Sequence, residues 1–377
     1  MSIASAFGFG KKIRYAVVGA GDIAQRAMMP GIDATGNSEL VAIVTDDPEK
    51  AQALGKRYGV DKTYGYDAFD AMLASGDVDA IYIATPNFRH AEFAIPALAA
   101  GIHVLCEKPL EISVARAEAI RDAQRASSAK LMVAYRLHFE PSTLDAIARI
   151  RSGELGDLVM FTSCFGQMLD PANHRAKHGV EAGPIFDMAP YPINAIRYLF
   201  GEEPVAVVSA VGSRHAEAGF GDFDDVVAVT LRMPGDRLAQ FTVSYFTNGI
   251  DSLIVAGTKG SIHMMPAYGF NAPRERTLLI GEKQHCETFK PTDQFGGEMR
   301  YFSDCILNGT DPEPDAEEGL ADLRVIEGIV RALETGEPQP LAPFARHRRI
   351  DTDAQEETLR NTHAPDDVNA APPTIDG

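Results

Sequence analysis

The sequence predicts an α/β protein: a doubly wound parallel sheet with helices on both faces, then an α+β domain with a mostly antiparallel open sheet. Three observations predict it. A strand-like run at residues 13–18 leads straight into a glycine-rich turn, Gly19-Ala20-Gly21-Asp22-Ile23-Ala24. Apolar runs and helical patterns then alternate as far as Ala134. Beyond it come successive β-type runs separated by Pro234-Gly235, Asn248-Gly249 and Lys259-Gly260. Strand–helix alternation builds parallel sheets, and strands joined by short turns build antiparallel ones.

Taken in order, residues 13–18 form the first strand. The turn after it matches Gly-x-Gly-x-x-Gly/Ala in the context that pattern requires, the start of a Rossmann domain. Gly19 permits the tight turn, Gly21 lets the backbone approach a pyrophosphate, and Ala24 allows close helix–strand packing. Asp22 and Ile23 lie at the start of the helical pattern, where unpaired N–H groups and the helix dipole favour an anion. The expected ligand is a dinucleotide. Residues 40–45 are the second strand and 48–58 the helix after it. An acid closing that strand would bind the ribose 2′-hydroxyl of NAD and repel the 2′-phosphate of NADP. Thr45 stands there, and Lys50 could reach a phosphate, which favours NADP. Asp46 and Asp47 follow directly, and a shift of one residue would favour NAD. Asp47 also suits a helix cap before Pro48.

Strands at 79–85, 103–106 and 130–134 alternate with helices at 89–100 and 114–126. Pro86, Asn87 and His90 follow the first of these strands, on the sheet edge where ligands bind. They are candidates for the nicotinamide half of the cofactor, with helix capping by Asn87 as the plainer role. The strand 103–106 ends in Glu107-Lys108-Pro109: a carboxylate, an ammonium and a residue that cannot continue the ladder. Either this is a solvated loop or it faces the ligand.

Residues 135–141, polar, aromatic and bounded by proline, read as the crossover between domains. A helix at 144–152 follows. Strands are expected at 158–165, 205–212, 226–232, 239–246, 252–257, 261–265 and 277–280, and helices at 297–307 and 317–333. Within 183–194, Asp187 and Tyr191 are four apart and share a face if helical. Pro190 and Pro192 place that stretch at a helix start, so Asp187 could equally be a cap. From Pro343 the chain is rich in Pro, Asp and Arg. It is expected to lie on a neighbouring surface or to be disordered. The domain plan is an arm (1–12), a dinucleotide domain (13–135), a substrate and oligomerisation domain (136–341) and a tail (342–377).

Composition narrows the function. A net charge of −18 over 377 residues argues against nucleic acid and anionic membranes as partners. Four scattered cysteines offer neither a disulfide framework nor a metal site, and fit a reducing compartment. No run reaches the ~18 apolar residues of a membrane span, and the start lacks a secretory pattern. A cytoplasmic enzyme is expected.

Together these residues resemble the Gfo/Idh/MocA oxidoreductases, from Ile13 to about Leu341. The marks are the Gly19 fingerprint, Thr85-Pro86-Asn87 with His90, Glu107-Lys108-Pro109, Tyr135-Arg136, the Asp187–Tyr191 pair and Ala256-Gly257-Thr258-Lys259-Gly260-Ser261. Many members carry His where this chain has Tyr191. Asp187, Tyr191 and Asn194, with Tyr135-Arg136-x-His138-Phe139-x-Pro141, look like the branch containing glucose-fructose and aldose-aldose oxidoreductases. That branch implies tightly held NADP and oxidation of an aldose at C1 to its lactone, in some members with return of the hydride to a second sugar. The chain departs from it at Glu181-Ala182-Gly183-Pro184 and at His174-Arg175, both beside the expected sugar pocket. Two other classes remain: a glycosidase of the same fold that oxidises C3 transiently, and a dinucleotide sensor without chemistry.

A sugar hydroxyl that gives up a hydride must also lose a proton, so a base is needed. Tyr191 is the candidate, with Lys108 as the cation that favours its phenolate. A charge at ~4 Å in an effective dielectric of ~20 contributes ~4 kcal/mol, which is of the size needed. Asp187 would hold Lys108 or a substrate hydroxyl. Arg136 and Asn194 are further candidates for sugar hydroxyls, with His178 a weaker one, and Arg136 also for the cofactor. Glu107 would orient Lys108 or touch the cofactor ribose. The open sheet is the expected face of a homo-oligomer.

Overall fold

The computed structural model describes residues 10–375 except Asn271, His347, 357–358, 361–365 and Ala371. Most of the expected N-terminal arm lies outside the described residues. β1 (Ile13–Val18), β2 (Ser38–Val44), β3 (Lys62–Tyr64), β4 (Ala80–Ile83), β5 (His103–Glu107) and β6 (Leu131–Ala134) form one parallel sheet in the order β3-β2-β1-β4-β5-β6. β1 and β4 are neighbours, so the order reverses there and opens a crevice at their carboxyl ends. The central strands are buried on both faces, which is why β4 reads as the unbroken apolar run Ala-Ile-Tyr-Ile.

The segment after the fingerprint is not a regular helix. A π turn, Ala24–Met28, passes into Met29–Ile32 and then the 3₁₀ turn Asp33–Thr35. Pro30 accounts for the irregularity: it lacks an N–H and clashes with the carbonyl four residues back. The helices Pro48–Tyr58, His90–Ala99 and Val114–Arg125 follow β2, β4 and β5.

β7 (Leu158–Met168), β8 (Ala206–Ser213), β9 (Val226–Arg232), β10 (Leu238–Ser244), β11 (Phe246–Gly257), β12 (Gly260–Met265), β13 (Arg274–Ile280), β14 (Lys283–Phe289) and β15 (Gln339–Pro340) form the second sheet. Its order is β14-β13-β12-β11-β7-β10-β9-β8-β15, antiparallel except for β10 against β7. β14 has no sequence signature, because nearly all its side chains are exposed and it is held chiefly by backbone pairing to β13, with Arg276 reaching Glu287 and Phe289. The predicted turn at Asn248-Gly249 is instead a register shift inside β11. The chain changes sides of β7 at Tyr245, between β10 and β11.

Two late helices tie the sheets together. Gln294–Asn308 lies on the first sheet, packing Phe295, Met299 and Phe302 against Tyr15 and Met28. The Ser303 hydroxyl is 2.8 Å from both Tyr15 Oη and Ser38 Oγ. Ala316–Thr335 touches β6, β8 and the helix Val114–Arg125. A Cβ on its Gly319 would fall 2.7 Å from Leu110 Cβ, so the close approach needs glycine. The described part of the tail packs on its own chain. Arg346 is buried between Glu313 and Glu318, at 2.9 and 2.8 Å, and Thr374 bridges to Leu169. Among the described residues no helix is long and apolar enough to cross a membrane.

Candidate active site

A cavity of about 680 Å³ runs along the crevice, between the carboxyl edge of the first sheet and the inner end of β7. Its volume suits a cofactor with a small substrate. The fingerprint loop forms one wall. Gly19 has φ +89, and a Cβ there would sit 2.7 Å from Thr85 N, so this turn admits only glycine. A Cβ on Gly21 would meet no protein atom, so protein packing does not explain that glycine; a ligand against its backbone does. Ala24 is fully buried, and Asp22 and Ile23 border the cavity. These features fit a dinucleotide pyrophosphate.

At the adenosine end lie Thr45 and Lys50. Asp47 caps the helix Pro48–Tyr58, accepting from Lys50 N at 3.0 Å, and Asp46 accepts from Tyr66 N at 2.7 Å. At the other end lie Pro86, Asn87 and His90. The Asn87 amide donates to the Glu181 carbonyl at 2.7 Å, so it fastens the 170–183 loop rather than capping the following helix. His90 is buried, its ring nitrogens 3.1 Å from Thr85 O and 3.0 Å from Pro109 O. Burial lowers its pKa. It braces two cavity loops against each other.

Glu107, Lys108, Arg136, Asp187 and Tyr191 meet beside that end. Lys108 Nζ donates to the Asp187 carbonyl at 2.7 Å and to Asp187 Oδ1 at 3.1 Å. Burial pulls the lysine's pKa down, but the charges of Asp187, Tyr191 and Glu107 outweigh it and the net shift is upward. Burial would likewise lift Asp187. Arg175 at 3.2 Å, Lys108 and the Tyr245 hydroxyl at 2.9 Å hold it well below the carboxylate range instead. Lys108 therefore stays an ammonium and Asp187 a carboxylate.

The expected Lys108–Tyr191 contact takes a different form. Lys108 Nζ lies over the ring, 4.7 Å from its centroid, while Arg136 Nη2 donates to the Tyr191 hydroxyl at 3.2 Å. Arg136 also donates to Gln294 Oε1 at 2.5 Å and Tyr268 O at 2.6 Å. It is buried, and among the described residues no carboxylate pairs with it. Phe165 packs edge-on against Tyr191, with centroids 5.4 Å apart.

Asn194 requires a correction. It is buried behind the cavity, bonded to His138 at 2.7 Å and to Glu318 at 2.8 Å, so its amide is committed to a buried polar network and not to sugar. His178 is exposed and packs its ring at a tilt against Phe88, with centroids 5.4 Å apart. Glu107 accepts from Tyr82 Oη at 2.6 Å, and burial raises its pKa against the pull of Lys108. Behind it Glu298 is fully buried with neither carboxyl oxygen hydrogen-bonded. Burial and the Glu107 charge raise its pKa well above the usual carboxylate range. Arg175 stands at the His174-Arg175 position expected beside the sugar pocket, whereas Tyr245 and Glu298 belong to no local motif. Only the path of the chain brings them here.

Comparison with known proteins agrees with this geometry. Residues 13–135 match the oxidoreductase family with an NAD-binding Rossmann fold, and residues 143–263 the GFO/IDH/MocA C-terminal domain. The chain is 32% identical over 333 residues to D-xylose 1-dehydrogenase [NADP(+)] of Haloarcula marismortui, covering 86% of this chain and 91% of that one. Among solved structures, aldose-aldose oxidoreductase from Caulobacter crescentus, complexed with glycerol, superposes with a TM-score of 0.83 at 35% identity, covering 88% of this chain and all of that one. KijD10, a 3-ketoreductase from Actinomadura kijaniata complexed with NADP and TDP-benzene, has a TM-score of 0.77 at 26% identity, covering 87% and 98%. Fingerprint, sheet order, paired charges and these likenesses converge: the chain belongs to the Gfo/Idh/MocA family of oxidoreductases.

Proposed function

We propose that this protein oxidises the C1 hydroxyl of an aldose to the lactone with NADP, and that Tyr191 is the base. The observation that carries the reading is the Tyr191 hydroxyl at the cavity, bonded to an arginine that makes no direct ion pair with a carboxylate among the described residues. A cation in that position stabilises the phenolate that must accept the sugar proton. When bound, the nicotinamide supplies the hydride acceptor. Lys108, held by Asp187, presents its remaining N–H to the substrate oxygen and stabilises charge as the proton leaves. Arg175 keeps Asp187 ionised, so the lysine is held from both sides. Phe165 and the face of Tyr191 give the apolar wall a sugar ring packs on.

NADP is favoured over NAD because both acids after β2 are occupied by protein donors. Asp46 takes Tyr66 N, and Asp47 takes Lys50 N and, at 3.1 Å, the Asn369 amide. Thr45 and Lys50 are left facing the cavity. Mass spectrometry of cofactor released on denaturation should find the 2′-phosphorylated form. Transfer of the hydride to a second sugar is supported by the likeness to an aldose-aldose oxidoreductase. The sheet's open face supports a homo-oligomer.

Tyr191→Phe tests the base. It should lose ~100-fold or more in turnover, the range for general base catalysis, while still binding cofactor. Unchanged turnover would remove Tyr191 from the reaction.

A further inference from the structure

The last described residues cross the mouth of the cofactor cavity and are attached to both of its walls. On the nucleotide side, Val368 exchanges two hydrogen bonds with Gln25: N–H to Oε1 at 2.7 Å, and carbonyl from Nε2 at 3.0 Å. Gln25 is fully buried and also donates to Ala20 O at 2.9 Å, inside the fingerprint loop. Asn369 donates to Asp47 at 3.1 Å. Asp367 is set beside Asp22, and partial burial with that neighbouring charge lifts its pKa to about 6. On the sheet side, Thr374 bridges to Leu169. Asp170 N donates to Pro373 O at 2.9 Å, and Ile375 N to Met168 O at 3.2 Å. Between these two feet, Asn369, Ala370, Pro373 and Thr374 border the cavity itself.

A tail that only stabilised the fold would turn these residues onto protein. Here they complete a wall of the ligand space, from the Lys50 end to the Arg175 end. Backbone bonds make both attachments, so the segment lies across the groove whatever its side chains. We propose that this segment is a strap that retains the nicotinamide dinucleotide on the protein between successive sugar reactions. The inference rests on the reading of the cavity as a dinucleotide site and extends it. A ligand under the strap leaves only after one foot lifts. Retained cofactor must then be re-reduced or re-oxidised in place, which is what exchange of a hydride between two sugars requires.

The test is the release rate of NADPH from the full-length protein and from a variant lacking residues 366–377. Bound NADPH would be chased with excess NADP and followed by its fluorescence. Removal of the strap should speed release about tenfold or more, since most affinity changes within one site appear in the off-rate. The fraction of cofactor carried through gel filtration should fall. Asn369→Asp, which sets a second carboxylate against Asp47 in an otherwise intact chain, should shift release in the same direction and guards against misfolding of the shortened protein. Release unchanged in both would overturn the strap. That outcome is separable from failure of the catalytic reading, because release is measured without turnover and does not depend on which residue is the base.

Discussion

Lys108 spends two of its bonds on Asp187, whose carboxylate it shares with Arg175. Arg136 makes no direct ion pair among the described residues, only longer-range attraction to Glu107 and Glu298, and it is the cation bonded to the Tyr191 oxygen. Burying a guanidinium is costly unless an anion answers it. In the proposed reaction a Tyr191 phenolate would be such an anion. Arg136→Met should therefore move the pH at which turnover half-develops upward, and Arg136→Lys should restore part of that shift. If Arg136 merely packs, turnover would drop by the same factor at every pH. A pH–rate profile of the three proteins distinguishes the outcomes.

Helix Pro190–Phe200 carries Tyr191, and its back face meets helix Ala316–Thr335 through a buried ionic network. Arg197, fully buried, reaches Glu318 at 2.7 Å, Asp322 at 2.6 Å and Glu203 at 2.5 Å. Asn194 links this network to His138. Burial holds the His138 imidazole neutral, with a pKa of about 4. The unfolded chain takes up that proton near ~6.5, so between pH ~6.5 and about 4 the unfolded state binds more protons. This contribution to stability is complete above pH ~6.5 and is lost as the pH falls towards 4, ~3 kcal/mol at most. Urea unfolding of His138→Gln and of the unmodified protein, at pH 7.5 and 5, should show a smaller loss of stability in the variant. Equal losses would assign the acid sensitivity to other groups.

At the scale of the molecule, the second sheet buries one face under helices and leaves the other open. Met160, Val211, Leu238, Met265 and Leu279 are exposed on it. Met160 pairs directly with Leu238, so part of the apolar surface is contiguous across strands. Such a face is costly in water and suits a second copy of the chain. Val211→Asp together with Leu238→Asp should lower the mass seen in sedimentation if that face joins subunits. An unchanged mass would place the contact elsewhere.

Five of the six strands of the first sheet were legible because each is local: apolar runs of strand length, a glycine turn, and capping ahead of Pro48; the three-residue edge strand β3, with two exposed side chains, was not. The fingerprint, Glu107-Lys108-Pro109 and the Asp187–Tyr191 spacing also named part of the cavity lining from short stretches of chain. β14 was not legible, since nearly all its side chains face water and chiefly pairing with β13 defines it. Asn194 was misread because a polar residue one turn from Tyr191 looks the same in sequence whether it faces a cavity or a buried ion pair. Arg175, Tyr245 and the strap come to the site through a loop, a change of side around β7 and the path of the tail. Sequence by itself determined the fold class, the family and the residue types available for hydride and proton transfer, because those depend on near-neighbour pattern. Only the tertiary structure decided which cation touches Tyr191 and what closes the groove, because charge pairing depends on distance in space, and these partners are 55 to more than 340 residues apart.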